Sequence, residues 1–139
     1  MKTITIKRRL AHPPQKVWQA FTDRDQLAEW LMPNDFEPKQ GATFQFKTKP
    51  QGNFDGIVKC EVLEIKPNEK LVLSWNSGDL DSEVTVLISP QGEGTDLTLI
   101  HTGFTLATLA ARIILSFGWK SLLSRKLPAF LEEQKSMVA

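Results

Sequence analysis

The chain has 139 residues and a mass of 15.7 kDa, the size of a single domain over residues 1–139 whose core needs neither disulfides nor metals. Hydrophobic residues make up 41% of the chain and charged residues 24%, as is typical of a soluble globular domain. The formal net charge of +1 excludes the strongly basic surface of most nucleic-acid-binding modules. Four Trp and eight Phe occur without any Tyr, so the aromatic residues supply rings and indole N–H groups but no phenol.

Few residues in the chain can carry metal or redox chemistry. A single cysteine, Cys60, excludes an intramolecular disulfide, and two histidines, His12 and His101, do not have the spacing of a zinc site. Cys60 lies in no CxxC motif and is predicted to be a small core residue. We therefore expect no structural metal. The first residues lack the apolar core of a signal peptide, which favours a cytoplasmic location.

The first third of the chain predicts one strand followed by two short helices. Alternating apolar residues predict a strand over Lys2–Leu10, in which Lys7-Arg8-Arg9 is a solvated segment of an edge strand. Proline in a first turn and apolar residues at helical spacing predict a helix over about Pro14–Thr22. A second helix is expected to begin with Asp25 as its N-cap and to end at Pro33-Asn34.

The middle of the chain predicts a run of antiparallel strands. Residues of alternating polarity, separated by turns rich in Gly, Pro and Asn, are typical of a meander. The predicted strands are a segment around Phe44 and Phe46, then Phe54–Lys66, Lys70–Asn76, Glu83–Ser89 and Thr95–Thr102.

A helical period begins at Thr105 and predicts a long C-terminal helix. Its apolar stripe comprises Leu106, Leu109, Ala110, Ile113, Ile114 and Phe117, followed by Trp119, Leu122, Leu123, Leu127, Phe130 and Leu131. Gly118 and Pro128 interrupt the pattern. Because the proline ring clashes with the carbonyl four residues earlier, we expect a kink between Ser124 and Pro128.

The most apolar part of this helix, Leu106–Trp119, is shorter than the ~18–20 apolar residues that span a bilayer and contains Arg112. It is predicted to be a buried helix, with a helix lying on a membrane surface as the alternative. We expect no membrane span.

The order of elements predicts an α+β fold with a curved six-stranded antiparallel sheet. The sheet wraps around the long C-terminal helix, and two short helices lie between strands 1 and 2. A twisted sheet covered on one face by a single helix has a concave side that becomes either a core or a cavity.

Several short motifs in this order resemble a known superfamily. They are Pro14–Asp23, Leu27–Trp30, Gly41 before Phe44–Phe46, Gly56, Glu64–Pro67, Leu71–Trp75, Gly94–Gly103 and Gly118-Trp119. Together they resemble the helix-grip proteins of the SRPBCC (START-like) superfamily, and most closely the homologues of the activator of the 90-kDa heat-shock-protein ATPase. The resemblance implies a ligand cavity between sheet and helix and usually no intrinsic cofactor.

Two departures from the superfamily pattern bear on function. Many relatives have polar residues where this chain has the apolar segment Leu106–Phe117, which suggests a lid over the pocket or a contact surface. The second departure is Pro128 inside the final helix, which argues against a straight helix. The chain is also expected to lack the separate chaperone-binding domain of the co-chaperone, which argues against a true co-chaperone role.

The predicted ligand site combines aromatic walls with one polar group. Trp18 is expected to be a core residue because it lies mid-helix. Trp30, Trp75 and Trp119 each lie near the end of an element, and the strand of Trp75 and the helix of Trp119 are expected to face one another. The remaining predicted wall residues are Phe44, Phe46, Cys60, Leu73, Val84, Val86, Leu99, Leu122 and Leu123. His101 shares the apolar parity of its strand and is the candidate polar anchor of the ligand.

The sequence allows two roles for His101. It is either a core histidine whose nitrogens are hydrogen-bonded within the fold, or a residue that binds or deprotonates a ligand. A general base usually needs an orienting carboxylate, and Asp55 and Glu64 would reach it only if the fold turned them inward.

Three hypotheses for the function follow. The first is a non-enzymatic protein that binds a small apolar, aromatic or lipid-like molecule. The second is an enzyme like the polyketide cyclases and aromatases, using His101. The third is a chaperone-interacting or stress-response module that uses the apolar segment Leu106–Phe117, which would also suit a homodimer.

Overall fold

The computed structural model describes residues 3–50 and 54–138 and has the predicted α+β architecture. Lys2 of the first predicted strand and the centre of the turn before the third lie outside the described residues. The elements are β1 (Thr3–Leu10), α1 (Pro14–Thr22), α2 (Arg24–Trp30), β2 (Thr43–Lys47), β3 (Ile57–Lys66), β4 (Lys70–Ser77), β5 (Leu80–Gln91), β6 (Gly94–Thr102), a 3₁₀ turn (Leu106–Thr108), α3 (Leu109–Ser121), a π-helical turn (Leu122–Lys126) and α4 (Leu127–Val138). We call residues 106–138 the C-terminal helix.

The six strands form one antiparallel sheet in the order β1-β6-β5-β4-β3-β2, so β1 and β2 are its edges. The register places Ile4 of β1 and Val84 of β5 on either side of His101 in β6. These three side chains point to the same buried face because directly opposed residues share a face of the sheet. The alternating apolar residues thus line one side of the sheet, toward the helices.

Four strands have bounds that differ from the sequence prediction. β3 begins at Ile57 rather than Phe54, β4 ends at Ser77 rather than Asn76, and β6 begins at Gly94 rather than Thr95. β5 extends from Leu80 to Gln91 rather than from Glu83 to Ser89, because Gly78-Asp79 forms a tight two-residue turn in which Gly78 has a φ of 57°. The extension brings Ser82 into the sheet, opposite Trp75 of β4.

Helix α1 has the predicted bounds, but the predicted cap of α2 is wrong. The N-cap of α2 is Asp23 and not Asp25, because the Asp23 carboxylate accepts hydrogen bonds from the backbone N–H groups of Asp25 at 2.9 Å and Gln26 at 3.2 Å. Asp25 instead lies in the first turn. The helix ends at Trp30, three residues before Pro33.

The C-terminal helix changes from α to π geometry where a kink was expected. The N–H of Leu127 bonds to the carbonyl of Leu122, five residues earlier. Pro128 has no N–H to donate to Ser124, and its ring clashes with that carbonyl in a regular α-helix. The helix accommodates the proline by taking one extra residue into the preceding turn. Gly118 lies inside α3 and does not interrupt it.

The π turn also keeps the buried residues of the helix in line. Trp119, Leu123, Leu127 and Leu131 are buried and lie four residues apart. In a helix with 3.6 residues per turn, such residues drift by about 40° at each step. The wider π turn offsets part of this drift, so the second half of the helix keeps one face on the core.

The prediction that the whole stretch Leu106–Trp119 is buried is wrong. Large side chains of α3 and of the turn before it are exposed, whereas Trp119 is buried. The reason is the position of α3, which lies beside the edge strand β1 with its outer side toward solvent. The 28-residue helical stretch Leu106–Glu133 has the length and apolar composition to cross a membrane, with 17% of its most apolar window buried. In this fold its second half packs on the core.

Candidate ligand site between the sheet and the C-terminal helix

A connected group of rings fills the space between the sheet and the C-terminal helix. Neighbouring ring centroids in this aromatic cluster are 4.8–5.5 Å apart, the distance of rings in van der Waals contact. In order of contact the cluster comprises Phe36, Phe44, Phe46, Trp75, His101 and Phe104, and Trp119 also packs on Trp75. All seven side chains are buried. The cluster therefore joins the edge strand β2 to β4, β6 and the helix through one apolar layer.

His101 is fully buried, and both of its ring nitrogens are hydrogen-bonded. The indole N–H of Trp119 donates to Nδ1 at 3.0 Å. Nε2 lies 2.8 Å from the hydroxyl oxygen of Ser82. The Ser82 hydroxyl in turn donates to the backbone carbonyl of Trp75 at 2.6 Å. The four groups form a single chain of hydrogen bonds across α3, β6, β5 and β4.

The donors in this chain determine the protonation state of His101. An indole N–H can only donate, so Nδ1 must accept and the imidazole proton must be on Nε2. A proton on Nδ1 would face the indole N–H. Burial lowers the pKa of His101 from 6.5 to about 4, so the ring is neutral at pH 7. Desolvation thus favours the neutral ring, and the hydrogen bonds select the tautomer with its proton on Nε2.

The Ser82–His101 pair does not have the geometry of an activated serine. In a serine nucleophile, the histidine accepts the hydroxyl proton and a carboxylate holds its other nitrogen. Here Nε2 donates to the Ser82 oxygen, and Trp119 occupies the place of the carboxylate. The hydroxyl proton of Ser82 points to a backbone carbonyl instead.

The two acids considered as partners of His101 both lie elsewhere. The Asp55 carboxylate accepts a hydrogen bond from the N–H of Ile57 in the loop before β3. Glu64 forms an ion pair with Lys70 at 3.3 Å on a partly exposed surface. Neither side chain points toward the aromatic cluster, so the carboxylate that an acid–base mechanism at His101 would use is not supplied by these residues.

The predicted wall residues lie on the buried side of the sheet and helix, with one exception. Leu122 is partly exposed, whereas the following residues are buried: Trp30, Phe44, Phe46, Cys60, Leu73, Trp75, Val84, Val86, Leu99, His101, Trp119 and Leu123. Trp30 belongs to a different part of the core, where its ring contacts Phe21 and its indole N–H donates to the carbonyl of Ala20 at 2.8 Å. Trp18 is buried, as expected of a core residue.

The rings of the cluster lie in van der Waals contact with one another, and His101 within it is fully buried. Two grooves open to solvent lie on the opposite, outer face of the sheet, one along Lys7–Arg9 and Asp96–Thr98 and one across β2, β3 and β4. A ligand that enters between the sheet and the helix must therefore displace a side chain of the cluster.

The comparisons with known proteins identify the family. Residues 11–132 match the family model described as activator of Hsp90 ATPase homolog 1-like protein. The chain belongs to this family. The match confirms the family that the sequence motifs indicated, and no curated protein sequence matches the chain.

Solved structures confirm the fold of this family member. Protein MLL2253 from Mesorhizobium loti is 34% identical over 94% of this chain and 97% of that chain, with a TM-score of 0.87. CalU16 from Micromonospora echinospora is 27% identical over 98% of this chain and 80% of that chain, with a TM-score of 0.76. The Aha1 dimer from Colwellia psychrerythraea is 20% identical over 91% of this chain and 94% of that chain, with a TM-score of 0.76.

Three members of the site were not found from the sequence. Ser82 has the same parity as Val84 and Val86, so a longer prediction for β5 would have included it. Phe36 and Phe104 lie in segments between regular elements, where no periodicity signals burial. Phe104 packs on the His101 ring at 4.8 Å, and Phe36 closes the other end of the cluster against Phe44.

Cys60 and the acidic residues offer no metal chemistry in the part of the chain that the structure describes. Burial raises the pKa of the Cys60 thiol to about 12, so it is a neutral core side chain at pH 7. Among the described residues, no three His, Cys, Asp or Glu side chains are grouped as metal ligands.

Proposed function

We propose that this family member binds a small aromatic or otherwise apolar molecule between the curved sheet and the C-terminal helix. The observation that carries the proposal is the hydrogen bond from the Trp119 indole to Nδ1 of His101. It places one polar acceptor inside an apolar aromatic layer, which is the composition of small-molecule sites. The indole of Trp119 occupies this acceptor.

The position of Trp119 makes it the side chain that a ligand can replace. Trp119 lies in α3, whose outer side faces solvent, three residues before the start of the π turn at Leu122–Lys126. The other rings around His101 belong to the sheet or follow it directly, and each strand is held by its neighbours. Moving the indole together with α3 therefore leaves the pairing of the strands intact.

The chemistry of His101 defines the group that the ligand should present. Nδ1 can accept one hydrogen bond, and Nε2 is already bonded to Ser82. A ligand hydroxyl or N–H would take the place of the indole N–H. Among the described residues the aromatic cluster contains no charged side chain, so a carboxylate would be buried without a counter-ion at a high cost. We therefore propose a neutral phenol or alcohol.

Three compounds with one ring system test this proposal. We expect 2-naphthol to quench or shift the tryptophan fluorescence saturably, naphthalene to bind more weakly by about tenfold, and 2-naphthoate to bind most weakly. Trp18→Phe is the control, because it removes a buried tryptophan outside the cluster and should leave the 2-naphthol response in place. The proposal is wrong if none of the three compounds, nor a flavonoid or a long-chain alcohol, binds saturably.

A further inference from the structure

The first half of the C-terminal helix presents an apolar face to solvent. It comprises Leu106, Leu109, Ile113, Ile114 and Phe117, with exposed fractions of 92%, 41%, 48%, 70% and 71%. Their spacing of three to four residues places them on one side of the helix, opposite Trp119 and the core. We call this set the apolar face. Nothing in the fold of the described residues covers it.

The apolar face is as large as the largest exposed apolar patches of monomers and smaller than the area that each partner buries in a stable dimer. Taking about 150–200 Å² for each fully exposed side chain of this size, the five residues expose roughly 500–600 Å². That is at the upper end of the largest patch on a typical monomer, about 300–600 Å². It falls below the ~800 Å² that each partner contributes to a stable interface of standard size.

The charged residues that the C-terminal helix carries before Glu132 are all positive. From Gly103 to Leu131 the chain has four basic residues and no acidic residue. They are Arg112, Lys120, Arg125 and Lys126. Lys120 follows Phe117 by one turn, at the end of the apolar face.

A fifth cation comes from the neighbouring strand. The guanidinium Nε of Arg8 in β1 donates to the hydroxyl of Ser124 at 2.9 Å. Ser124 lies in the π turn, four residues after Lys120, so this contact places Arg8 beside the basic residues of the helix. We call Arg8, Lys120, Arg125 and Lys126 the basic end.

A second copy of the chain does not match this combination. When two copies pair through the apolar face with antiparallel helices about a two-fold axis, the basic end of each helix faces the first turns of the other helix, which carry no charge. The helix has no acidic residue before Glu132 that could compensate the basic end of the other copy. A bilayer with anionic headgroups matches both the apolar face and the basic end. Its acyl chains can surround the apolar side chains, and its phosphates can bind the cations.

We propose that the apolar face docks on the surface of an anionic membrane. α3 lies in the interfacial plane with Leu106, Ile114 and Phe117 among the upper acyl chains, while the basic end contacts the lipid phosphates. The sheet stays in water, because Leu123, Leu127 and Leu131 hold the second half of the helix on the core. This is surface docking and not a span, and it is independent of the ligand site.

Flotation of the full chain with vesicles tests the proposal. We expect the protein to float with vesicles of phosphatidylcholine mixed with phosphatidylglycerol and not with vesicles of phosphatidylcholine alone, with binding that weakens as salt is added. The double variant Ile114→Ser/Phe117→Ser should reduce binding by about tenfold or more. Leu87→Ser is the matched control, because Leu87 is a partly exposed residue on the sheet and should not affect flotation.

A second variant tests the contribution of the basic end. Lys120→Ala/Arg125→Ala should lower binding to the anionic vesicles and flatten its salt dependence while the circular dichroism spectrum stays unchanged. The proposal is overturned if the wild-type chain does not float, or if it floats equally with both kinds of vesicle. It is also overturned if sedimentation equilibrium shows a dimer that Phe117→Ser converts to a monomer while flotation is unaffected.

Discussion

The indole N–H of Trp119 donates to Nδ1 of His101 at 3.0 Å, between two side chains that are both buried. This hydrogen bond joins the C-terminal helix to β6, the strand that pairs with both β1 and β5. The indole gives Nδ1 of His101 its hydrogen-bond donor, whereas Nε2 bonds to Ser82 of the sheet. The bond therefore links the stability of the helix on the sheet to the protonation state of a single imidazole.

Removing the indole should destabilise the protein by more than the loss of ring area. In Trp119→Phe a ring remains, but Nδ1 of His101 loses its donor, and an unsatisfied buried acceptor costs about 1–3 kcal/mol. Trp18→Phe is the matched control, because no hydrogen bond of its indole occurs among the described residues. Urea unfolding should show the larger loss for Trp119→Phe. Equal losses in the two variants would contradict the role of the hydrogen bond.

The free energy of unfolding should fall as the pH falls from about 6.5 to about 4. Burial lowers the pKa of His101 to about 4, so between these values the unfolded chain binds a proton that the folded protein does not. Stability is therefore complete above the unfolded pKa and decreases toward the folded one, by about 3 kcal/mol in total. Urea unfolding at several pH values measures this slope.

His101→Gln provides the comparison for the pH dependence. Glutamine has one acceptor and one donor for the partners of His101 but does not titrate. The slope between pH 6.5 and pH 4 should be smaller in this variant, while His12, which contacts Glu132 at 3.2 Å, is present in both proteins. A variant with the wild-type slope would show that the dependence comes from other groups.

The hydroxyl of Ser82 should contribute to stability although the residue is only partly buried. Ser82→Ala leaves the Nε2–H of His101 without an acceptor, at a cost of about 1–2 kcal/mol. Ser82→Thr retains a hydroxyl and should recover most of the loss. Ser89→Ala, at an exposed position of the same strand, should change the free energy of unfolding little. An alanine variant as stable as the wild type would remove Ser82 from the hydrogen-bonded chain.

The π turn should persist when its proline is replaced. Pro128→Ala restores an N–H for the Ser124 carbonyl, a gain of about 1 kcal/mol. A regular α-helix would, however, rotate Leu127 and Leu131 away from the core, and burying each such side chain stabilises by about 1.5–3 kcal/mol. Backbone chemical shifts of Leu122–Lys126 should therefore keep their π pattern. A change to regular α-helical shifts would show that Pro128 alone imposes the turn.

The sequence predicts most of the strands and helices because their signals are local. The alternation in β2, β4 and β6 and the proline at the start of α1 depend only on nearby residues. The cap of α2 was misplaced because Asp23 and Asp25 are equally good caps, and the choice depends on where the preceding helix ends.

Long-range contacts were harder to predict. The apolar stripe of the C-terminal helix indicates a helix but not which half of it lies on the sheet, since that depends on how far the sheet extends beside α3. The partners of His101 lie 18 and 19 residues away, in α3 and β5. The position of His101 on the apolar face of its strand was sufficient to identify it as a candidate. It did not show that the Trp119 indole binds it.

The most direct test of the account follows the Trp119 indole by ¹⁵N–¹H NMR during titration with 2-naphthol. We expect the Trp119 N–H resonance to move and exchange faster with water, because the ligand hydroxyl replaces it on Nδ1 of His101. The Trp18 indole resonance should stay in place. If 2-naphthol binds while the Trp119 resonance remains unchanged, or if the resonance does not move at any concentration, the proposed site beneath Trp119 is contradicted.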